Sequence, residues 1–315
     1  MISKIKQAVD FIKAGNIVAF PTETVYGLGA NANNEEACQK IFQVKGRPSI
    51  NPLIVHVASI NDAESIGEFN DDAKKLANAF WPGPLTIVVP LKQDAKIAPS
   101  ALAGLETIAL RIPAHIIALE LIRQTGMPVA APSANPSGYV SATTFQHVQE
   151  HFAHIKDVLI LEDINNSKYG IESTIIDTSS RDGIKLLRSG FITKEALEAV
   201  VDKKIYIAPS LTQIKAPGML EKHYAPRTKV RLNVTKLEVG EVGLNFADSN
   251  LGENPSFNLS SSGDLVEAAA NLYSLLRRLD NYAESNKLTG IAVSPIPQIG
   301  IGVAINDRLT RASKR

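Results

Sequence analysis

Lys45, Arg47, Arg111 and Arg188 stand beside the ends of apolar stretches, together with hydroxyl, amide and imidazole side chains. A hydrophobic core has no use for such groups, whereas a site for a small, polar, anionic ligand does. Pro21-Thr22-Glu23-Thr24-Val25-Tyr26-Gly27-Leu28-Gly29 follows directly on Ile17-Val18-Ala19-Phe20. Lys45-Gly46-Arg47-Pro48 leads into Asn51-Pro52 and then Leu53-Ile54-Val55-His56-Val57. Basic residues at a helix C-terminus also complement the helix dipole, so Lys45 and Arg47 alone prove little. Pro48 and Pro52 stiffen the loop that follows, and Asn51 adds an amide at the mouth of a buried-type strand, where α/β sheets place ligands.

Strand alternation puts His56 on the face of Ile54, opposite Leu53, Val55 and Val57. Both faces are apolar, so a ligand or a protein partner must satisfy its nitrogens. Thr107-Ile108-Ala109-Leu110-Arg111-Ile112 alternates in the same way, with Thr107, Ala109 and Arg111 on one face. A guanidinium in so apolar a strand needs an anion, either a ligand or a protein carboxylate. The strand has no carboxylate of its own, although Glu106 precedes it. Ala131-Pro132-Ser133-Ala134-Asn135-Pro136-Ser137-Gly138 is a stiff, small-residue turn, and Ser141, Thr143 and Thr144 continue the supply of hydroxyls. Gly170-Ile171-Glu172-Ser173-Thr174 repeats the pattern, and Leu187-Arg188-Ser189-Gly190 ends another strand on a cation. Each of these loops could be a solvated turn. Converging, Arg47, Arg111 and Arg188 with Ser and Asn loops suit phosphate and carboxylate groups.

Familiar nucleotide cradles are missing. No G-x-x-x-x-G-K-[ST] occurs, and Gly27-Leu28-Gly29 fails the dinucleotide fingerprint at Ala32. No Cys or His cluster has metal-ligand spacing, so no protein-bound metal site is expected. Ser133 does not sit in a G-x-S-x-G elbow.

These groups need a scaffold, and the length of 315 residues favours two domains. With 44% hydrophobic residues the chain can bury a full core. The single Cys38 fits a reducing compartment and lies in an amphipathic helical pattern, where it reads as core. No apolar run approaches a bilayer span and the N-terminus has no signal-peptide pattern, so a soluble cytoplasmic protein is expected. Net charge is +1, which argues against a protein that mainly grips nucleic acid through phosphates.

Residues 1–205 read as mixed α/β. Helical stripes are expected over Lys4–Ala14, from the Asn34 cap to Gly46, over Asp71–Phe80 and over Ala114–Thr125. Strands are expected at Ile17–Phe20, Leu53–Val57, Leu85–Pro90, Thr107–Ile112, Pro128–Ala131, Ser173–Asp177 and Ile184–Leu187. Residues 206–228 read as a linker broken by Pro209, Pro217-Gly218 and Pro226, yet carrying Met219, His223 and Tyr224. Residues 229–315 form a second unit. Strands are expected at Val230–Val234, Val242–Phe246 and Ile291–Val293. An Asp264/Glu267 capping box opens one helix, and Gly302–Arg315 forms another. The order suggests a small Rossmann-like layer.

The ordered series PTETVYGLGANA from Pro21, KGRPSINPLIVHV from Lys45, FWPGPLTIVV from Phe80, ALRIPAH from Ala109, APSANPSG from Ala131, GIESTIIDTS from Gly170 and LLRSGFIT from Leu186 resembles the YrdC-like threonylcarbamoyl-AMP synthases. APGMLEKHYAPRT from Ala216 and GVAINDRLTRA from Gly302 resemble the long form, which has an added C-terminal domain. The resemblance implies a twisted open mixed sheet with helices, plus a smaller Rossmann-like α/β C-terminal domain, and a linker that folds over the active site. It implies the reaction of L-threonine, bicarbonate and ATP, with Mg²⁺ accompanying ATP, to threonylcarbamoyl-adenylate and pyrophosphate. A downstream tRNA threonylcarbamoyl transferase complex would then modify the adenosine next to the anticodon. This leaves room for weak tRNA contact and gives no role to a membrane.

On this resemblance a basic and polar tetrad falls on Lys45, Arg47, Ser133 and Asn135. ATP would meet Arg47, Asn51, Thr107, Ser133, Ser141 and Arg188, with Tyr224 reaching back over the nucleotide. L-threonine would meet Thr24, His56, Arg111, the Ala131 backbone and Ser173. A noncatalytic RNA-binding factor is the rival class. The near-neutral charge and the lack of interleaved basic and aromatic residues count against it. A carbamoyl-transfer domain of a hydrogenase-maturation protein would need acylphosphatase and zinc-finger modules beside it, which the chain lacks.

Overall fold

The computed structural model describes residues 2–180, 182–208, 223–252 and 257–314. In chain order the first unit comprises α1 (Ile2–Lys13), β1 (Ile17–Phe20), β2 (Gly27–Asn31), α2 (Glu35–Lys45), β3 (Ile54–His56), α3 (Ile60–Ile66), α4 (Asp71–Phe80), β4 (Leu85–Pro90), α5 (Pro99–Leu102), β5 (Thr107–Arg111), α6 (Ile116–Thr125), β6 (Val129–Ala130), α7 (Phe145–Phe152), β7 (Val158–Ile160), β8 (Thr174–Asp177), β9 (Lys185–Arg188), α8 (Lys194–Val201) and β10 (Tyr206–Ile207). The second unit follows with β11 (Lys229–Arg231), β12 (Glu241–Asn245), β13 (Phe257–Asn258), α9 (Leu265–Ser285), β14 (Gly290–Val293) and α10 (Gly302–Ser313).

Local chemistry sets many of these bounds. The Asn34 side chain accepts from the Ala37 amide to open α2, and Gly46 closes it in the left-handed region at φ 60. Asn70 caps α4 in the same way, accepting from the Ala73 amide. Asp264 caps α9, accepting from the Val266 and Glu267 amides. The expected capping box is not closed, because Glu267 turns to the hydroxyls of Ser260 and Ser262 while the Asp264 amide donates to Ser260 Oγ.

The first unit is built on a ten-stranded mixed sheet in the order β10-β9-β8-β4-β5-β3-β6-β2-β1-β7. One face packs the main core through Val55, Ile87, Val89, Leu110, Ile176 and Leu186. The opposite face of the central strands carries only the small apolar group Ile54, Val88, Ala109 and Ile175, packed by Leu187. That half-filled face is where the polar side chains gather. The second unit is a four-stranded parallel sheet, β11-β14-β12-β13, as a small Rossmann-like layer requires.

Two strands in particular depart from the expectation. Gly27–Asn31, poor in β-forming residues, is a strand paired on both edges with β1 and β6. Tyr206 and Ile207 continue the first sheet as its edge strand beside β9, so the sheet runs past residue 205. Pro209, Pro217, Gly218 and Met219 lie outside the described residues. The two units share one apolar cluster, in which Val25, Val140 and Ile171 pack with Tyr224, Leu272, Tyr273, Leu276 and Leu309. No helix among the described residues is long and apolar enough to cross a membrane.

Candidate active site

β3 and β5 run parallel in register, with His56 opposite Arg111. Alternation therefore places both on the half-filled face with Ile54 and Ala109, as their spacing predicts. Arg188 reaches the same face by a different device. The β8–β9 register pairs Ile176 with Leu186 but Ile175 with Arg188, so a bulge inserts one residue. Without it Arg188 would share the core face of Leu186.

These residues line one cavity with Thr22, Thr24, Gly27, Ala131, Ser133, Glu172, Ser173, His223 and Tyr224, while Arg47 closes another side. Three guanidinium groups, Arg47, Arg111 and Arg188, thus face a space with one lining carboxylate among the described residues, Glu172. The cavity attracts anions.

Each cation is held by the chain. Arg47 Nε donates to Asn51 O at 3.2 Å and Nη2 to Pro52 O at 2.9 Å. Burial, and Arg188 among its neighbours, bring its pKa down to about 9, so it stays charged at neutral pH. Arg188 donates to Ser173 O at 3.0 Å and to Ser173 Oγ at 3.1 Å, and Ser173 Oγ also meets Thr86 Oγ1 at 2.8 Å. Arg111 donates to Glu23 Oε1 at 2.6 Å and to Gly83 O at 3.2 Å. Glu23 is a residue that sequence reasoning passed over.

His56 is buried, and burial followed by Arg111 lowers its pKa to about 3, so the imidazole is neutral. Its Nδ1 has no partner among the described residues. Thr24 is buried, its hydroxyl 2.9 Å from that of Thr22, which also donates to Val25 O at 2.6 Å. The Ala131 amide donates to Ile54 O at 2.9 Å, and Ser133 forms a bridge with Gly27. Tyr224, at φ 62, stacks on Tyr273 with ring centroids 5.6 Å apart. The Tyr224 hydroxyl and His223 Nδ1 are buried without partners among the described residues.

The remaining candidates stand differently. Lys45 does not line the cavity; its Nζ donates to Ser133 O at 2.6 Å and to Asn135 O, clamping the turn. Burial, with Arg47 nearby, holds its pKa well below the usual lysine range. Asn135 donates to Pro136 O and Tyr139 O at 2.8 and 2.9 Å, which shapes the same turn. Asn51 is buried beside Arg47 with Oδ1 unpartnered among the described residues. Ser141 donates to Glu172 Oε1 at 2.5 Å and does not line the cavity. Thr107 is set apart. It pairs with Pro90 at the opposite end of β5 from Arg111, and does not line the cavity. Cys38 is buried, and burial raises its thiol to about 12, in keeping with a packing role.

The chain is similar in sequence and fold to known proteins. A family model described as Telomere recombination matches residues 10–190, and one described as Threonylcarbamoyl-AMP synthase, C-terminal domain, matches residues 192–314. The chain is 41% identical over 333 residues to a threonylcarbamoyl-AMP synthase of Bacillus subtilis, covering 98% of this chain and 93% of that protein. Identity to the Pyrococcus abyssi protein of the same description is 40% over 333 residues, covering 98% and 94%. The crystal structure of P. abyssi Sua5 complexed with L-threonine superposes with a TM-score of 0.88 at 38% identity, covering 98% of this chain and 94% of that one. With both models matched in order and identity of this level over nearly its whole length, the chain belongs to the threonylcarbamoyl-AMP synthase family, in the form that carries the C-terminal domain.

Proposed function

We propose that this enzyme condenses L-threonine, bicarbonate and Mg·ATP into threonylcarbamoyl-AMP and pyrophosphate in the cytoplasm. A separate tRNA threonylcarbamoyl transferase complex would place the product on the adenosine next to the anticodon, with at most weak tRNA contact by this chain. The observation that carries the reading is the convergence of Arg47, Arg111 and Arg188 with Thr24, His56, Ser133 and Ser173 on one cavity. Family membership supports the same chemistry.

The threonine amine attacks bicarbonate to give the carbamate and water. A carbamate oxygen then bonds to the α-phosphorus of ATP while the bond to the bridging β-phosphate oxygen breaks, and pyrophosphate leaves. Both reactants are anions, so charge cancellation and alignment supply most of the catalysis. Arg47, Arg188, Ser133 and Asn51 take the nucleotide side, with Tyr224 over it. Arg111, Thr24, His56, Ser173 and the Ala131 backbone take the threonine side, Arg111 holding the carboxylate. Lys45 and Asn135 serve by fixing the Ser133 turn. Ser141 acts through Glu172, and Thr107 has no direct contact. Mg²⁺ belongs to the substrate Mg·ATP; no cluster of three or more His, Cys, Asp or Glu among the described residues could hold it alone.

Incubation with Mg·ATP, bicarbonate and L-threonine should release pyrophosphate only when all three are present, with the adenylate detected by mass. Release that ignores threonine would overturn the proposal.

A further inference from the structure

Glu172 is the anomaly of the cavity, the one carboxylate among the described lining residues, beside three guanidinium groups. Facing a polyphosphate it would repel. Both of its oxygens are engaged: Oε1 accepts from Ser141 Oγ at 2.5 Å, and Oε2 accepts from Tyr273 OH at 2.8 Å and Arg308 Nε at 2.9 Å. Tyr273 and Arg308 come from α9 and α10 of the C-terminal unit. Arg308 is fully buried, which an arginine tolerates only with partners. Its Nη2 donates to Ser189 O at 2.8 Å, beside Arg188, and its guanidinium lies 5.2 Å from the centre of the Tyr224 ring. Its Nη1 pairs with Asp307 at 2.6 Å.

Burial alone would raise the Glu172 carboxyl, but Arg308 above all, then Arg188 and the Ser141 hydroxyl, bring it down to about 2. The group therefore keeps its charge at neutral pH, and only a neighbouring cation can cancel it.

We propose that Arg308, assisted by Tyr273, is a positioning residue for the active site: the C-terminal unit cancels the Glu172 charge and occupies its oxygens, and so lets the cavity accept a polyphosphate anion. This gives the C-terminal unit a part in ligand binding beyond packing, and it rests on the reading of the cavity as a nucleotide site. A residue serving only as domain glue would affect stability and leave the ATP affinity of the folded protein alone.

The test uses the full chain with Arg308→Gln, which keeps a donor near Glu172 but removes the charge, alone and combined with Glu172→Gln. Arg308→Gln should raise the KM for ATP about tenfold, with kcat and the KM for threonine changed less than about threefold. The double variant should return the ATP KM to within about twofold of the parent, because the charge to be cancelled is gone. An unchanged ATP KM in a folded Arg308→Gln protein, or no recovery in the double variant, overturns the proposal. If Arg308→Gln does not fold, Tyr273→Phe loosens the same carboxylate and should raise the ATP KM about threefold, reversed by Glu172→Gln; no rise overturns it equally. Calorimetric binding of inorganic tripolyphosphate to the same proteins separates the two readings. A parent that binds it without forming adenylate would sink the proposed reaction and still test Arg308. A parent that binds neither ATP nor tripolyphosphate overturns both.

Discussion

Arg111 Nη2 and Glu23 Oε1 meet at 2.6 Å, with both side chains at most 5% exposed. The guanidinium of β5 is thus oriented by a carboxylate from the turn after β1, and Glu23 Oε2 has no partner among the described residues. The pair presents a pre-aimed cation to the cavity and compensates its charge within the protein itself.

Glu23→Ala should therefore strand a buried cation and cost about 3–5 kcal/mol of stability. Glu23→Gln keeps an acceptor and should cost less, while raising the KM for threonine as Arg111 loses its orientation. Urea unfolding and threonine titration read the two effects; a loss below about 1 kcal/mol in Glu23→Ala would show the pair to be energetically idle.

Much of this site was legible, and its gaps have physical causes. Alternation puts His56 with Ile54 and Arg111 with Ala109, because period-two geometry is local, while only the β3–β5 register brings the two onto one face. The resemblance implies an ATP contact for Thr107, and alternation gives its face but not the end of the strand that meets the cavity; the structure pairs Thr107 with Pro90 at the end away from Arg111. Glu23 went unremarked because its partner lies 88 residues away, beyond any local pattern. The bulge that turns Arg188 onto the site face has no residue signature of its own. The Asp71–Phe80 helix matched to the residue, since an apolar stripe and an Asn70 cap define both periodicity and start. The Asp264/Glu267 spacing promised a capping box, but Ser260 offered Glu267 a closer donor.

Tyr224→Phe separates binding from stability. Its hydroxyl is buried with no partner among the described residues, which is costly to the fold. Removing it should leave stability unchanged or raise it by about 1 kcal/mol. If that oxygen awaits the nucleotide, ATP affinity should fall in the same protein. A thermal melt and an ATP titration read both; lower stability with unchanged affinity would make the tyrosine a packing residue.

Arg47→Ala should reduce kcat/KM for threonine-dependent pyrophosphate release by about 10²-fold or more, as expected for a charge aimed at the reacting phosphates. Far-UV circular dichroism should stay unchanged, because among the described residues Arg47 donates to the nearby Asn51 and Pro52 carbonyls alone. Activity within about threefold of the parent would remove Arg47 from the site.

Acid should weaken the fold before it protonates the carboxylates. Burial lowers the pKa of His56, His147 and His223 from 6.5 to about 3. These groups are neutral when folded, whereas the unfolded chain takes up protons from about pH 6.5 downward. Their contribution is complete above 6.5 and is lost as pH falls toward 3, at up to about 1.4 kcal/mol per pH unit for each histidine. Glu172, lowered to about 2 from 4.5, adds its own loss only below about pH 4.5. Urea midpoints at pH 7 and pH 5 check this; equal midpoints would mean the histidines are protonated in the folded protein.

Gly170→Ala tests how tightly the units are coupled. Gly170 sits at φ 67, and a Cβ there would lie 2.5 Å from Ala269 O and from the backbone of Ala270 in α9. The left-handed backbone alone costs a side chain about 1–2 kcal/mol. The contact adds more, because helix backbone cannot swing aside as a flexible side chain would. Relief requires α9 to move off the first unit, and α9 carries Tyr273, which holds Glu172 two residues beyond Gly170. The shared cluster around Val25, Val140 and Ile171 would open along the same line. Gly170→Ala should thus lower stability by about 3 kcal/mol, split or broaden the unfolding transition, and raise the KM for ATP together. A single sharp transition at the parent midpoint would show that α9 yields freely, and that the C-terminal unit rests on the first without constraining it.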